Sequence, residues 1–220
     1  MLKLGNNNFV QSSMINENGY IADHAGALNN VNQTLFASYS PDFTWSKVNN
    51  AKSYAILIED FAASKVIGMP FIHWVALNIK DNFIQANQSY LDYSKWKKSN
   101  SYFYSDDILW QGHNSSVNQT LVKNNKINSN LGGILPEAFT AKNIDDSLLY
   151  FGCYPPDKDH IYTVNIYALD VEAKDLKYYK DDHKKEYSFN EPFYVGDFIQ
   201  AISKHTISKQ ILTFKYKQVK

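Results

Sequence analysis

An aspartate closing one apolar run, a histidine inside the next and a histidine heading a third are the residues best suited to chemistry in this 220-residue chain. The runs are "SYAILIED" (53–60), "FIHWVALNI" (71–79) and "IYTVNIYALD" (161–170), and the residues are Asp60, His73 and His160. Taken singly, each has an ordinary explanation. A carboxylate at a strand end is solvated, and a histidine in an apolar strand is a hydrogen-bonded core residue. If the three strands are neighbours, one carboxylate and two imidazoles converge at one edge of a sheet. An imidazolium offers two N–H donors and a positive charge, which suits a phosphate or a carboxylate. Asp60 nearby would stabilise the protonated ring and fix its orientation.

The loop ahead of the third run, "FGCYPPDKDHIY" (151–162), adds rigidity. Pro155 and Pro156 each fix φ and remove a backbone donor, and Gly152 would let ligand atoms approach the main chain. Two His and one carboxylate are also the make-up of a facial metal triad, but the i,i+4 or HxH spacing of a strong metal motif is missing. Cys153 lacks an established catalytic partner, no Gly-x-Ser-x-Gly elbow is present, and no Gly-rich loop cradles a phosphate. No metal, cofactor or catalytic residue is therefore expected. Trp45 and Trp74 most simply fill the core; their places beside Pro41 and His73 make them candidate pocket lining. His113, in "WQGHN", is expected to be exposed on a turn bordering the same pocket. His24, His183 and His205 read as structural or surface residues.

Composition narrows the class of function. Lys plus Arg equals Asp plus Glu at 22 each, so no net field recruits nucleic acid or an anionic membrane. Every one of those basic residues is Lys. With 44% hydrophobic and 15% aromatic residues the chain is a packed globule. Its length suits one substantial core, and a single domain over 1–220 is expected. No apolar stretch suits a signal peptide or a membrane span, and a lone cysteine forms no internal disulfide, so a soluble, cytoplasmic protein is expected.

The elements that position these residues are mostly strands. In 161–170, Tyr162, Val164, Ile166 and Ala168 share one face; in "QILTFKYKQV" (210–219), Leu212, Phe214 and Tyr216 alternate with polar residues. The runs at 53–60 and 71–79 are more continuously apolar, as strands covered on both faces are. One segment, "GDFIQAISKH", reads as a helix with Asp197 as N-cap. The fold expected is mainly β, a sandwich-like sheet domain with peripheral helices. Residues 114–148, polar and Asn-rich with Gly132-Gly133 and Pro136, read as a long loop or insertion, and 175–193 as a second one.

Taken in order, these segments resemble the phosphatidylethanolamine-binding protein family, which includes the Raf kinase inhibitor proteins; the bacterial and archaeal branch is the closer likeness. The family's SP-x-L-x-W element is similar to "SPDFTW" (40–45), and its D-P-D-A-P element to "EDFAAS" (59–64). Its H-W-V-x-x-N-I run is present as "HWVALNI" (73–79), and the turn before its ligand loop resembles "QGHNSS" (111–116). Its G-P-x-P-P-x-x-x-H-x-Y loop is represented by "GCYPPDKDHIY" (152–162), and its C-terminal pattern by "KHTISKQILTFKY" (204–216).

The resemblance implies a β-sandwich in which a large antiparallel or mixed central sheet packs on a smaller one, with C-terminal helices at the periphery. It implies a small anion pocket near one sheet edge, carried onto Asp60, His73, Pro155, Pro156 and His160 with Tyr162 in support. Family pockets take phosphate-like or carboxylate-like groups, including a phospholipid head group, and no catalytic activity is shared across the family. Several members bind other proteins, and bacterial members are often homodimers. Against the family pattern, Ala62 and Ser64 replace an Asp and a Pro, Cys153 replaces a Pro, and Ile161 stands where Arg is frequent. The reading that ranks first is a non-enzymatic binding protein for a small phosphate-bearing anion, with a regulatory role. The alternative is a protein-interaction module inhibiting a kinase or protease, and a metal-dependent hydrolase ranks third.

Overall fold

A computed structural model describes residues 9–29, 38–117, 139–141, 143–180 and 185–220, with the backbone of 122–123 and 126–127. Its strands are β1 (Val10–Gln11), β2 (Phe43–Trp45), β3 (Ser53–Asp60), β4 (Phe71–Ile79), β5 (Phe83–Ile84), β6 (Trp110–Gln111), β7 (Val122–Lys123), β8 (Lys126–Ile127), β9 (His160–Leu169), β10 (Lys177–Lys180), β11 (Lys185–Ser188) and β12 (Thr206–Tyr216). The helices are α1 (Ser64–Ile67), α2 (Gln88–Ser99) and α3 (Val195–Ile202). The central sheet has the order β12-β9-β3-β4-β6, every pairing antiparallel, and β1-β2-β5 form a smaller sheet.

Both faces of the central sheet are covered, which explains why β3 and β4 are apolar almost throughout. Alternate side chains of β3 point to opposite sides. Tyr54, Ile56 and Ile58 join Trp74, Val164, Ile166 and Phe214 against Phe43, Trp45 and Ile84 of the small sheet. Ala55 and Leu57 face the other way, with Val75, Leu77 and Leu169, onto Trp96 of α2, Phe198 and Ile202 of α3, and Tyr178 and Phe189 from the 177–189 hairpin. The mainly β sandwich expected from the sequence is the architecture found.

Three local expectations need correction. Segment 175–193 is no surface insertion: β10 and β11 pair as a hairpin, and Leu176, Tyr178, Phe189 and Phe193 are fully buried in the second core. Asp197 does not begin α3. Tyr194 is the N-cap, and Asp197 stands three residues inside, its carboxylate accepting from the Tyr194 N–H at 3.1 Å. Helix α2 stands where the sequence pattern predicts no helix. Part of the 114–148 stretch lies outside the described residues; its ends carry Asn114 to Val117, Phe139 to Ala141 and a 3₁₀ turn at Ile144–Leu148.

Register brings the three candidate residues together. Asp60 is paired with Phe71 on one side and with Tyr162 on the other. His160 is the first residue of β9, two before Tyr162 and on the same face. On β4 the register shifts, so that Trp74 opposes Ile58 while Ile72 opposes Glu59. His73 is the extra residue of that bulge, and a bulge re-aims a side chain out of strict alternation. Trp74 stays in the core while His73, its sequence neighbour, reaches the Tyr162 ring at 5.1 Å.

Candidate functional site

The edge where β3, β4 and β9 meet opens into a cavity of about 210 Å³. Asp60, His73 and His160 contribute its polar groups; Ala63, Val66, Ile67, Phe71, Phe139, Phe151, Tyr154 and Pro156 supply apolar walls. Helix α1, ended by Gly68 at φ +80°, forms one side. That left-handed conformation is one glycine adopts without strain.

His160 is held from both ends. Its Nδ1 lies 2.6 Å from Asp60 Oδ2 and its Nε2 lies 2.6 Å from Asp157 Oδ1. Carboxyl oxygens thus engage both ring nitrogens. The two carboxylates differ. Asp60 is buried, and its Oδ1 also accepts the Ala63 N–H at 3.1 Å, whereas the Asp157 side chain is 41% exposed on the loop. The bond to His160 holds the Asp157 carboxyl below the usual carboxylate range.

His73 is in the opposite state. Its Nδ1 donates to the Phe151 carbonyl at 2.8 Å, which places the proton of the neutral ring there and leaves a lone pair on Nε2. Burial pushes the His73 pKa down; Asp60 and the Phe151 carbonyl oppose that shift, and His160 adds to it. The cavity thus holds one neutral imidazole and one histidine ring engaged at both nitrogens. Among its described lining residues none is Lys.

The loop backbone is fixed from the C-terminal tail. Val219 N–H donates to the Pro155 carbonyl at 2.9 Å, and the Gln218 side chain to the Pro156 carbonyl at 3.0 Å. The prolines themselves donate nothing, so their carbonyls are the handles that hold them.

The sequence model of the phosphatidylethanolamine-binding protein family matches residues 11–217. The chain belongs to this family. An uncharacterised protein of Bacillus subtilis (strain 168), YxkA, is 26% identical over 161 residues, 73% of this chain and 70% of its own length. Two solved structures are similar in fold: a phosphatidylethanolamine-binding protein homologue, CT736, from Chlamydia trachomatis, and YbcL of E. coli, described as a member of the mammalian family. Each is 17% identical and covers 98% of this chain and 100% of its own, with TM-scores of 0.59 and 0.58 respectively.

Of the residues carried over from the phosphatidylethanolamine-binding protein pattern, Asp60, His73, His160 and Pro156 line the cavity together. Pro155 and Tyr162 do not line it. Pro155 anchors the loop, and Tyr162 packs edge-on against His73 and stacks on Phe214 at 5.2 Å. Trp45 and Trp74 are fully buried core residues outside the cavity. His113 is buried rather than exposed, its Nδ1 2.7 Å from the Ser147 hydroxyl and its ring against Tyr194, away from the cavity. Cys153 offers no thiolate: burial pushes its thiol up to about 12, and it lies against the Tyr150 hydroxyl at 3.4 Å. Among the described residues, no group of three or more His, Cys, Asp or Glu is placed to hold a metal ion, and no helix is long and apolar enough to cross a membrane.

Sequence reasoning missed the aromatic wall of Phe71, Phe139, Phe151 and Tyr154, and it missed Asp157. Phe71 and Phe151 sit within the motifs quoted above, where apolar residues read simply as core. Phe139 belongs to the 114–148 stretch, so one end of that stretch helps to wall the cavity.

Gly152 does not face a ligand. A Cβ there would lie 2.1 Å from Ser38 Oγ, 2.8 Å from Ser38 Cβ and 3.1 Å from Gly26 Cα, so chain rather than ligand makes the close approach. Gly152→Ala is expected to destabilise the protein by roughly 1–3 kcal/mol through overpacking and to loosen the loop that follows. Urea unfolding checks this; an unchanged midpoint would mean that the Ser38 segment yields freely.

Proposed function

We propose that the protein is a non-catalytic binding protein for a small molecule that joins a compact anionic head, phosphate or carboxylate, to an apolar remainder. The observation that carries this reading is one cavity in which Asp60, His73 and His160 converge while aromatic rings supply the rest of the wall. Family membership supports it, since a binding pocket rather than a shared reaction is what the members have in common. The polar end recognises the head, and Phe71, Phe139, Phe151 and Tyr154 shield the remainder from water.

Protonation decides how the head is held. The neutral His73 presents a lone pair at Nε2, so an oxyanion approaches it either carrying its own proton or by protonating the ring. Both routes place one more proton in the complex than a fully ionised phosphate beside a neutral imidazole. Affinity for phosphate is therefore expected to fall as pH rises above the range where phosphate and His73 titrate. Isothermal titration of phosphate and O-phosphorylethanolamine at pH 6 tests the site. His160→Ala should lose at least about tenfold in affinity, the order expected for one charge-assisted contact. Equal binding by wild type and variant would remove the assignment.

Phe61, Val66 and Met69 stand exposed on the segment that walls the cavity. They favour, as the second reading, a protein partner seated over the same opening, in keeping with an inhibitory interaction module.

A further inference from the structure

His160 is gripped by two carboxylates that do different work. Asp60 is buried, satisfied a second time by the Ala63 N–H, and inseparable from the fold. Asp157 reaches the other nitrogen from the surface of the loop, three residues away, with 41% of its side chain in water. Within Pro155 to Asp159 the two proline carbonyls and the remaining carboxylate are committed. Val219 and Gln218 hold the Pro155 and Pro156 carbonyls; Asp159 accepts from Gln218 N–H at 2.9 Å and from the Tyr20 hydroxyl at 2.7 Å. The Asp157 side chain is the one acidic group of the loop that can leave the site by rotating into solvent while everything around it stays.

Asp157 does not itself line the cavity, but its oxygen takes Nε2 of His160, a ring that does. A carboxylate oxygen 2.6 Å from a ring nitrogen is the contact a phosphate or carboxylate ligand makes with a histidine. An incoming anion meets both an engaged ring nitrogen and the acidic side chain that engages it. Neither obstacle remains once Asp157 has swung away.

We propose that Asp157 is a built-in occupant of the anion position, its carboxylate holding His160 Nε2 until an external phosphate or carboxylate displaces it. The proposal rests on the reading of this cavity as an anion site and adds a rule of selectivity to it. A bare anion gains only what it takes from Asp157. A phosphate ester or acid with an apolar remainder gains the aromatic wall as well and wins the exchange. Asp157 thus sets a threshold that discriminates against free inorganic phosphate.

The experiment is titration with inorganic phosphate, followed by calorimetry, of wild type, Asp157→Ala, Asp157→Asn and His160→Ala at one pH and ionic strength. Both Asp157 variants should bind phosphate about five- to tenfold more tightly than wild type, the effect of one charge-assisted hydrogen bond reduced by solvent exposure. The same variants should gain less for a phosphate ester, because the wall contact is common to all. Phosphate affinity that is unchanged or weaker in both Asp157 variants, with wild type binding and His160→Ala not binding, would overturn the role of Asp157 and leave the site assignment standing. No binding by any of the four would overturn both.

Discussion

Asp60→Ala is expected to lower the stability of the fold by about 3–5 kcal/mol, the usual cost of removing one partner from a buried charge pair. His160 would keep its exposed contact with Asp157 and lose the buried one at 2.6 Å, along with the geometry that aims its ring. The Ala63 N–H would lose its acceptor at the same time, unpinning the start of α1. Most of that loss belongs to the stranded histidine rather than to a favourable pair. Adding His160→Leu in the Asp60→Ala background should therefore recover part of it, because two apolar side chains no longer bury an unmatched charge. Urea unfolding of the two single variants and the double variant measures both quantities. A loss below about 1 kcal/mol for Asp60→Ala would mean that the pair is effectively solvated.

Acid is expected to destabilise the protein well before its carboxylates titrate. Burial lowers the pKa of His113 to about 4, against an opposing pull from Asp145, and burial lowers His73 as well. Both side chains are neutral in the fold and must take up a proton when the chain unfolds. Unfolding therefore binds protons as pH falls below the ordinary histidine value near 6.5, and stability declines until the folded-state pKa is passed. For His113 the decline amounts to about 2–3 kcal/mol between pH 6.5 and 4. The lowered carboxyls of Asp107, Asp157, Asp159 and Glu172 are exposed and act in the same sense, losing their contribution only as pH falls below their own ordinary values near 4, so the two windows separate. Denaturant unfolding at pH 7.5, 6 and 5 should show the slope, and His113→Asn should remove the part that His113 contributes. A flat profile in wild type would contradict the buried, neutral state of these rings. Phosphate should act with the opposite sign, stabilising more at pH 5 than at pH 7.5, because its complex retains a proton.

The strands that frame the site were legible because their physics is written in consecutive residues. β3 and β4 fall on the apolar runs 53–60 and 71–79, since strands buried on both faces need apolar residues at nearly every position. The meeting of Asp60 and His160 followed from strand adjacency, whereas His73 joins them through a bulge in β4 that no sequence period marks. Helix α2 left no such trace. The residues it buries are Ser89, Asp92 and Trp96, so its inner face is largely polar, and its boundaries are Asn87 and Asn100 at positive φ in a chain where Asn is common. Ser89 is buried because its hydroxyl donates to Gln111 at 2.6 Å, and Gln111 also accepts from the Trp74 indole at 2.7 Å. Such a long-range polar network has no period to read. The small sheet was equally silent, with strands of two and three residues.

At the site, residue types were more informative than residue states. The sequence placed two histidines together and suggested a charged donor. It did not say that one is neutral because a carbonyl and burial hold it so, or that the other has both nitrogens engaged. A carboxylate in a Pro-Pro-Asp-Lys-Asp turn reads as a solvated tip, and only the fold reveals that Asp157 turns inward to His160. The aromatic wall was hidden for a related reason, since Phe71 and Phe151 are indistinguishable in sequence from core residues that touch no cavity.

Crystals soaked with phenyl phosphate, a phosphate ester with an apolar remainder, test the central claim most directly. The expected result is density for the phosphate between His73 Nε2 and His160 Nε2, with the Asp157 carboxylate rotated into solvent and the Asp60–His160 contact intact. An empty cavity with Asp157 still on His160, at a ligand concentration that fills other sites on the surface, would contradict it.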